Sequence, residues 1–303
     1  MDIHIRCEDF KRGAYNSARI ISRDSAGKGV NLSRALRSCG TESLCYMMLG
    51  REGYEDFIAP LEAYGMNIAY TLTDGRVREN MNIHHVGEET VISTAGPAVG
   101  KREVEDMLRV LSPYLSSDTV LAFCGSISSS SDKDAILSAL HAVKSTGARL
   151  VIDSKSLEIE ELLSLSPYLI KPNEKEAEAL TGMSASDTES AVRVATAIRD
   201  MGCTKVLLTL GERGAVLASE ECVLVAKVPQ IDARSTVGAG DSTIAGFLAA
   251  KSAGVNDKGA LATALAYGTA ACMEEGSLPP KPDTVEELIA RIVITDTSDI
   301  YKQ

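Results

Sequence analysis

Hydrophobic positions along the chain switch between two periods from residue 29 onwards. In "NLSRALRSCG" (31–40), Leu32, Ala35, Leu36 and Cys39 recur at i, i+3, i+4 and i+7 and stop at Gly40, which predicts a half-buried helix. "REVEDMLRVL" (102–111) repeats that spacing with Val104, Met107, Leu108 and Leu111. "SDTESAVRVATAIRDMG" (186–202) adds a capping box from Ser186 to Glu189 ahead of Val192, Ala195 and Ile198, and ends at Gly202. Between such helices lie short apolar runs closed by Gly, Ser or Asn: "TVLAFCG" (119–125), "ARLVIDS" (148–154), "YLIKPN" (168–173) and "TKVLLTLG" (204–211). This alternation predicts an α/β fold whose parallel sheet is covered on both faces.

Residues 2–24 and 68–94 break the alternation and read as strands without helices. The turn signals "TDG" (73–75) and "VGEE" (86–89) predict hairpins that form a small β-lid, leaving an α/β core of residues 25–67 and 95–303 within a single domain, 1–303. "SISSSSD" (126–132) is a Ser-rich loop at a strand's carboxyl end, the edge where open α/β folds bind ligands.

Composition narrows the function classes. The hydrophobic content of 45% supports a sizeable buried core, and no apolar run approaches the ~20 residues of a membrane span. The N-terminus lacks the basic and apolar segments of a signal peptide, so a cytoplasmic location is expected. Seven scattered cysteines without a C-x-x-C pair predict reduced core thiols. With 42 acidic against 31 basic residues the net charge is −11, which disfavours nucleic acid as a partner. An anionic small substrate would need local donors, helix N-termini or a metal to hold it.

Four stretches can supply such donors. "AGKGVN" (26–31) is not a Walker loop, because Gly29 follows Lys28 where Ser or Thr is required. It can instead free backbone amides at Gly27 and Gly29 and place Lys28 at a helix start, although taken alone a turn leading into a helix with a solvated lysine is the simpler reading. In "KPNEKEAEALTG" (171–182), acidic residues complement a helix dipole, or Asn173 and Glu176 hold Mg²⁺ through water. "LTLGERGAVL" (208–217) reads first as a hairpin with a tight turn. In "STVGAGDSTIAGF" (235–247), Thr243 replaces the third glycine of a dinucleotide-binding motif. The alternatives are an anion hole made by the amides of Gly238, Ala239 and Gly240 with Asp241 facing an acceptor hydroxyl, or a helix start with Asp241 as its cap.

Taken together and in this order, the four stretches resemble the PfkB/ribokinase family of carbohydrate kinases, from residue 2 to about residue 292. "GKGVN", "GRVREN" (75–80), "CGSIS" (124–128) and "STVGAGDS" look most like its phosphosugar branch, the 1-phosphofructokinases and tagatose-6-phosphate kinases. The resemblance implies a ribokinase-like three-layer αβα sandwich with a mostly parallel central sheet and a β-lid that also forms dimer contacts. It implies ATP-dependent phosphoryl transfer to a sugar phosphate, with Asp241 as base and residues 238 to 240 as anion hole. Asp2, Gly27, Lys28, Gly29 and Asn31 would bind the sugar, and Arg78 and Ser126 its phosphate. Lys171 would meet the ATP phosphates, Asn173 and Glu176 would serve Mg²⁺, and Thr209, Gly211 and Gly214 would hold the nucleotide.

The chain departs from the family pattern in three places. Asp2 matches only the last residue of an N-P-A-x-D-like motif, so the first core strand is expected to be missing. "CGSISSSS" lacks the usual Pro and Gly, and Asn82 stands where phosphofructokinase-like members often carry Lys. These departures motivate an alternative of another class, a non-catalytic sugar-phosphate-binding paralogue, beside the tagatose-6-phosphate kinase alternative.

Overall fold

The computed structural model describes residues 1–86 and 88–298. The chain divides into two compact units, one of Met1–Val30, Leu44–Pro113 and Ile127–Ala139, the other of Asn31–Ser43, Tyr114–Ser126 and the residues from Leu140 onwards. Its first elements are β1 (Asp2–Arg6), β2 (Arg19–Asp24), α1 (Lys28–Ser38), β3 (Leu44–Glu52), α2 (Tyr54–Ala63), β4 (Asn67–Arg76), β5 (Asn80–His85), β6 (Glu88–Ser93) and α3 (Lys101–Leu111).

In the first unit β2, β1, β5 and β6 form a four-stranded sheet in that order. β1 runs antiparallel to β2 and parallel to β5, and β5 returns antiparallel into β6. Register sets Asp2 opposite Asn80 and His4 opposite Asn82, so these polar residues share one face while Ile3, Ile5, Met81 and Ile83 share the other. The β5–β6 turn falls at "VGEE", of which Gly87 lies outside the described residues. The "TDG" signal does not turn the chain. β4 runs through it to Arg76 and pairs in parallel with β3, so the segment before Val77 lies outside the four-stranded sheet. The register shifts between Gly50 and Glu52, and a Cβ on Gly50 would overlap the Arg76 backbone, so a close glycine approach accommodates the irregularity where a hairpin was expected. Met47, Leu49, Phe57, Ile58 and Leu61 pack with Val77 in this unit's core.

The chain continues through β7 (Val120–Cys124), α4 (Lys133–Ser145), β8 (Arg149–Asp153), α5 (Ile159–Ser164), β9 (Leu169–Ile170), α6 (Glu174–Thr181), α7 (Thr188–Asp200), β10 (Lys205–Thr209), β11 (Ala215–Ser219), β12 (Val223–Lys227), α8 (Ala239–Ser252), α9 (Asp257–Cys272), α10 (Pro282–Ile289) and β13 (Val293–Asp296). The second unit is built on a seven-stranded sheet ordered β13-β12-β11-β10-β9-β8-β7. β7 to β10 are parallel, and β11, β12 and β13 each add antiparallel. The parallel run ends where "LTLGERGAVL" joins β10 to β11 as a hairpin, because only a single 3-10 turn, Gly211–Arg213, lies between them, too short to carry the chain back.

Leu207, Leu217 and Leu224 face a core shared with Ile244 and Phe247 of α8 and Leu261 of α9. By strand alternation Val206, Leu208 and Val216 face the other side, where α7 packs on β10 and β11. Three layers result. α7 begins one residue later than its sequence signal suggests: Asp187, not Ser186, is the cap, accepting from Ser190 N at 2.8 Å while Ser190 Oγ meets Asp187 N at 3.0 Å. An ionised carboxylate accepts more strongly than a hydroxyl, which favours Asp187 over its neighbour.

α8 and α9 meet backbone to backbone. A Cβ on Gly246 would lie 2.7 Å from the Thr263 carbonyl oxygen, and one on Gly268 would overlap Thr243 Oγ1 and stand 3.1 Å from the Ala239 carbonyl oxygen. The start of α9 is tied to β10 by a buried ion cluster in which Lys205 Nζ contacts Asp257 Oδ2 and Lys251 Nζ contacts Asp257 Oδ1 at 3.0 Å. All seven cysteines are thiols, and burial pushes that of Cys203 up to about 12. Among the described residues no helix is long and apolar enough to cross a membrane.

Candidate active site

The carboxyl ends of β7 to β10 lie along one edge of the seven-stranded sheet, and the predicted residues of the second unit gather on the segments that leave it. Ser126 is exposed one residue beyond Gly125, whose amide donates to the Asp153 carbonyl at 3.1 Å. Lys171 follows β9 and is buried. Asn173 caps α6, and Thr209 closes β10 with its amide donating to the Pro172 carbonyl at 3.0 Å.

The N-terminus of α8 shows which residue caps the helix. Gly238 is the N-cap, at φ 76°, a left-handed conformation that glycine adopts without a Cβ penalty. Asp241 is therefore the third helical residue and not the cap. A glycine cap brings no side-chain oxygen to the first-turn amides, which leaves them to be met from outside the helix. Of the three residues expected to form the anion hole, Ala239 donates its amide to the Thr236 carbonyl at 3.3 Å. Asp241 is buried, and its Oδ2 accepts from Asn31 Nδ2 at 2.9 Å. A Cβ added to Gly240 would stand 2.9 Å from Lys171 Nζ, so an ammonium lies directly over the glycine turn. Such a group can balance the charge of a phosphoryl oxygen.

Gly240→Ala tests that closeness. The displaced atom is the far end of a flexible side chain, so unfolding free energy is expected to stay within about 0.5 kcal/mol of wild type. Turnover is expected to fall roughly tenfold or more as Lys171 moves off the turn. Urea denaturation and initial rates measured together check both parts.

Asn173 and Glu176 engage one another before any ligand arrives. Asn173 Oδ1 accepts from Glu176 N at 3.0 Å, Glu176 Oε2 accepts from Asn173 N at 2.9 Å, and Glu176 Oε1 meets Lys155 Nζ at 3.2 Å. Burial alone pushes the Glu176 carboxyl up, but the Asn173 amide and the Lys155 and Lys171 charges together hold it below its ordinary range. Among the described residues no group of three or more His, Cys, Asp or Glu could hold a metal directly.

The turn after β10 has Gly211 at φ 59° and Gly214 at φ 98°, and a Cβ on Gly214 would run into the Ala226 carbonyl. Arg213 secures this turn by contacting the Glu174 carboxylate and donating to the Ala185 and Ser186 carbonyls at 2.9 Å.

The remaining predicted residues belong to the first unit. Asp2 is buried in β1 and accepts from Asn80 Nδ2 at 2.8 Å. Lys28 and Gly29 open α1, whose first turn has no acidic residue, and Gly27 precedes it at φ 151°. Arg78 lies between β4 and β5, where its carbonyl accepts from the Met1 ammonium at 2.9 Å.

Residues 1–284 match the family described as pfkB family carbohydrate kinase. The chain belongs to the PfkB family. It is 29% identical to the 1-phosphofructokinase of Bacillus subtilis over 249 residues, covering 82% of either chain. It is 26% identical to that of Haemophilus influenzae over 300 residues, covering 97% of this chain and 95% of the other. The crystal structure of Escherichia coli phosphofructokinase-2 in complex with fructose-6-phosphate has a TM-score of 0.87 with it at 20% identity, covering 96% and 95%. This PfkB chain is thus a sugar kinase, a phosphotransferase that uses ATP, with the ribokinase-like fold of its structural neighbours.

Three polar partners of this PfkB site escaped the sequence reading. Asn80, which holds Asp2, stands in the quoted "GRVREN" and alternates with Asn82 along β5. Lys155 and Arg213 become partners of Glu176 and Glu174 only through tertiary structure, and no local pattern marks them.

Proposed function

We propose that this PfkB kinase transfers the γ-phosphoryl group of ATP to the primary hydroxyl of a sugar phosphate, and that the substrate is fructose 1-phosphate. The observation that carries this is the buried Asp241 carboxylate, held by Asn31 in the first turn of a glycine-capped helix beside the Lys171 ammonium. The names of the relatives at 26–29% identity support the choice of sugar.

The hydroxyl oxygen bonds to phosphorus as the bond to ADP breaks, and its proton passes to Asp241. A carboxylate at a helix start is a weak base, so it receives the proton late, and positioning and charge stabilisation carry most of the acceleration. Gly238 and Gly240 direct amides at the transferring group, with Ala239 joining them if its long bond to Thr236 is released. Lys171 meets the ATP phosphates. Asn31, with Asp2, Gly27, Lys28 and Gly29, binds the sugar, and Arg78 and Ser126 meet its phosphate. Thr209, Gly211 and Gly214 hold the nucleotide. Asn173 and Glu176 fit Mg²⁺ as outer ligands, since this ion keeps several waters beside substrate phosphates. When bound with ATP it would neutralise phosphate charge.

The four-stranded sheet of β1, β2, β5 and β6 serves as a lid that excludes water from the transfer. Its apolar face leaves Ile20 53% and Ile92 46% exposed, which favours a homodimer through the lid. The enzyme acts in the cytoplasm.

ADP release measured with fructose 1-phosphate, tagatose 6-phosphate, fructose 6-phosphate and unphosphorylated sugars tests the reading. The highest kcat/KM is expected with fructose 1-phosphate; activity confined to unphosphorylated sugars overturns it. Sedimentation of wild type and Ile20→Lys tests the dimer, which an unchanged monomeric profile for both refutes.

A further inference from the structure

Asn31 donates to Asp241, yet an amide side chain can present either of its ends. The two ends have nearly the same shape and opposite hydrogen-bonding character. In the flipped orientation the amide oxygen would face a carboxylate oxygen 2.9 Å away, acceptor against acceptor. What selects the productive orientation is found one helical turn along α1. Arg34 Nη2 donates to Asn31 Oδ1 at 3.1 Å and reaches Ser277 Oγ at 3.4 Å. Residues three apart share a helix face, so the contact follows from the helix geometry.

We infer that Arg34 is a positioning residue for phosphoryl transfer, acting through the Asn31 amide to hold the Asp241 carboxylate in one orientation. A guanidinium carries donors and no acceptor, so it is compatible with only one state of the amide. The three groups therefore form a chain with one direction: cation to amide oxygen, amide hydrogen to carboxylate. The charge at its start polarises the amide and strengthens its donor end. All three side chains lie in the second unit. Asp241 is buried, so solvent cannot substitute freely for the donor that Asn31 provides.

This inference rests on the reading of Asp241 as the acceptor of the sugar's proton, and the experiment separates the two. Arg34→Met keeps the apolar stem and removes the donor. It is expected to lower kcat roughly ten- to hundredfold, the span of a hydrogen bond to a charged group, with sugar-phosphate KM changed less than about threefold. Arg34→Lys restores one charged donor and is expected to recover part of that loss. In an Asn31→Ala background Arg34→Met should cost little more, because the amide through which it acts is already gone. Equal costs in the two backgrounds overturn the inference.

A second readout does not need turnover. In ¹⁵N-labelled protein the Asn31 side-chain amide signal, assigned by its loss in Asn31→Ala, should shift and exchange faster with water in Arg34→Met. An unchanged signal overturns the inference. A wild type that releases no ADP with any sugar or sugar phosphate overturns the proposed function instead and leaves the amide measurement to decide the role of Arg34.

Discussion

Asp241→Asn is expected to lower kcat by about 10²–10⁴-fold, the usual yield of a positioned proton acceptor, while KM for the sugar phosphate changes less than about threefold. The replacement keeps the size of the side chain, and its amide oxygen can still accept from Asn31 Nδ2 where Oδ2 now does. α8 should remain intact because Gly238, not Asp241, forms the cap. Thermal melting near that of wild type, combined with the loss of turnover, would separate a chemical role from a helical one. Small and equal changes in kcat and KM would reduce Asp241 to a residue of the first helical turn.

The largest expected loss of stability lies elsewhere in the same unit. Asp257→Ala should cost about 3–5 kcal/mol, because removing one partner of a buried ion pair strands the other. The side chain of Lys205 is only 9% exposed and cannot turn to solvent, whereas that of Lys251 is 23% exposed. Replacing both buried partners, Lys205→Met with Asp257→Leu, leaves only the partly exposed Lys251 without its carboxylate and is expected to recover most of the loss. Urea denaturation of wild type and both variants checks this order.

The same cluster sets a sign for pH. Burial alone pushes the Asp257 carboxyl up, but hydrogen bonds from Lys205 and Lys251 and their charges hold it below its ordinary range. The unfolded chain then binds more protons than the folded one, since its free carboxyl titrates near about 3.9. The stabilisation is present above that value and is lost as pH falls through the lower folded value. Stability should therefore drop more steeply in acid for wild type than for the Lys205→Met, Asp257→Leu variant. Parallel curves would refute the assignment.

Sequence periodicity was a reliable guide where one face of an element meets a core. Leu32, Ala35 and Leu36 lie in α1, and the runs 119–125 and 204–211 became β7 and β10. It misled where a turn residue serves another purpose. Gly75 sits inside β4 and not at a hairpin, because that strand's partner is β3 and the irregularity is accommodated at Gly50. In the site, the residue types in "STVGAGDS" were legible, but whether Asp241 or a glycine caps α8 was not. It depends on the φ of Gly238, which no side-chain pattern reports. Lys155 and Arg34 were hidden for a different reason: each matters through a partner whose own role is visible only after the chain has folded.

The glycine crossing of α8 and α9 has a mechanical consequence. Side-chain packing can absorb a small intrusion by changing rotamers, but two backbones in contact have no such freedom. Gly268 touches the stretch that opens α8, against Thr243 and the Ala239 carbonyl. A methyl group there would drive the Thr243 hydroxyl off the Ala239 carbonyl and press on the turn that leads into Gly240 and Asp241. At this position a stable fold and the geometry proposed for turnover depend on the same few cubic ångströms.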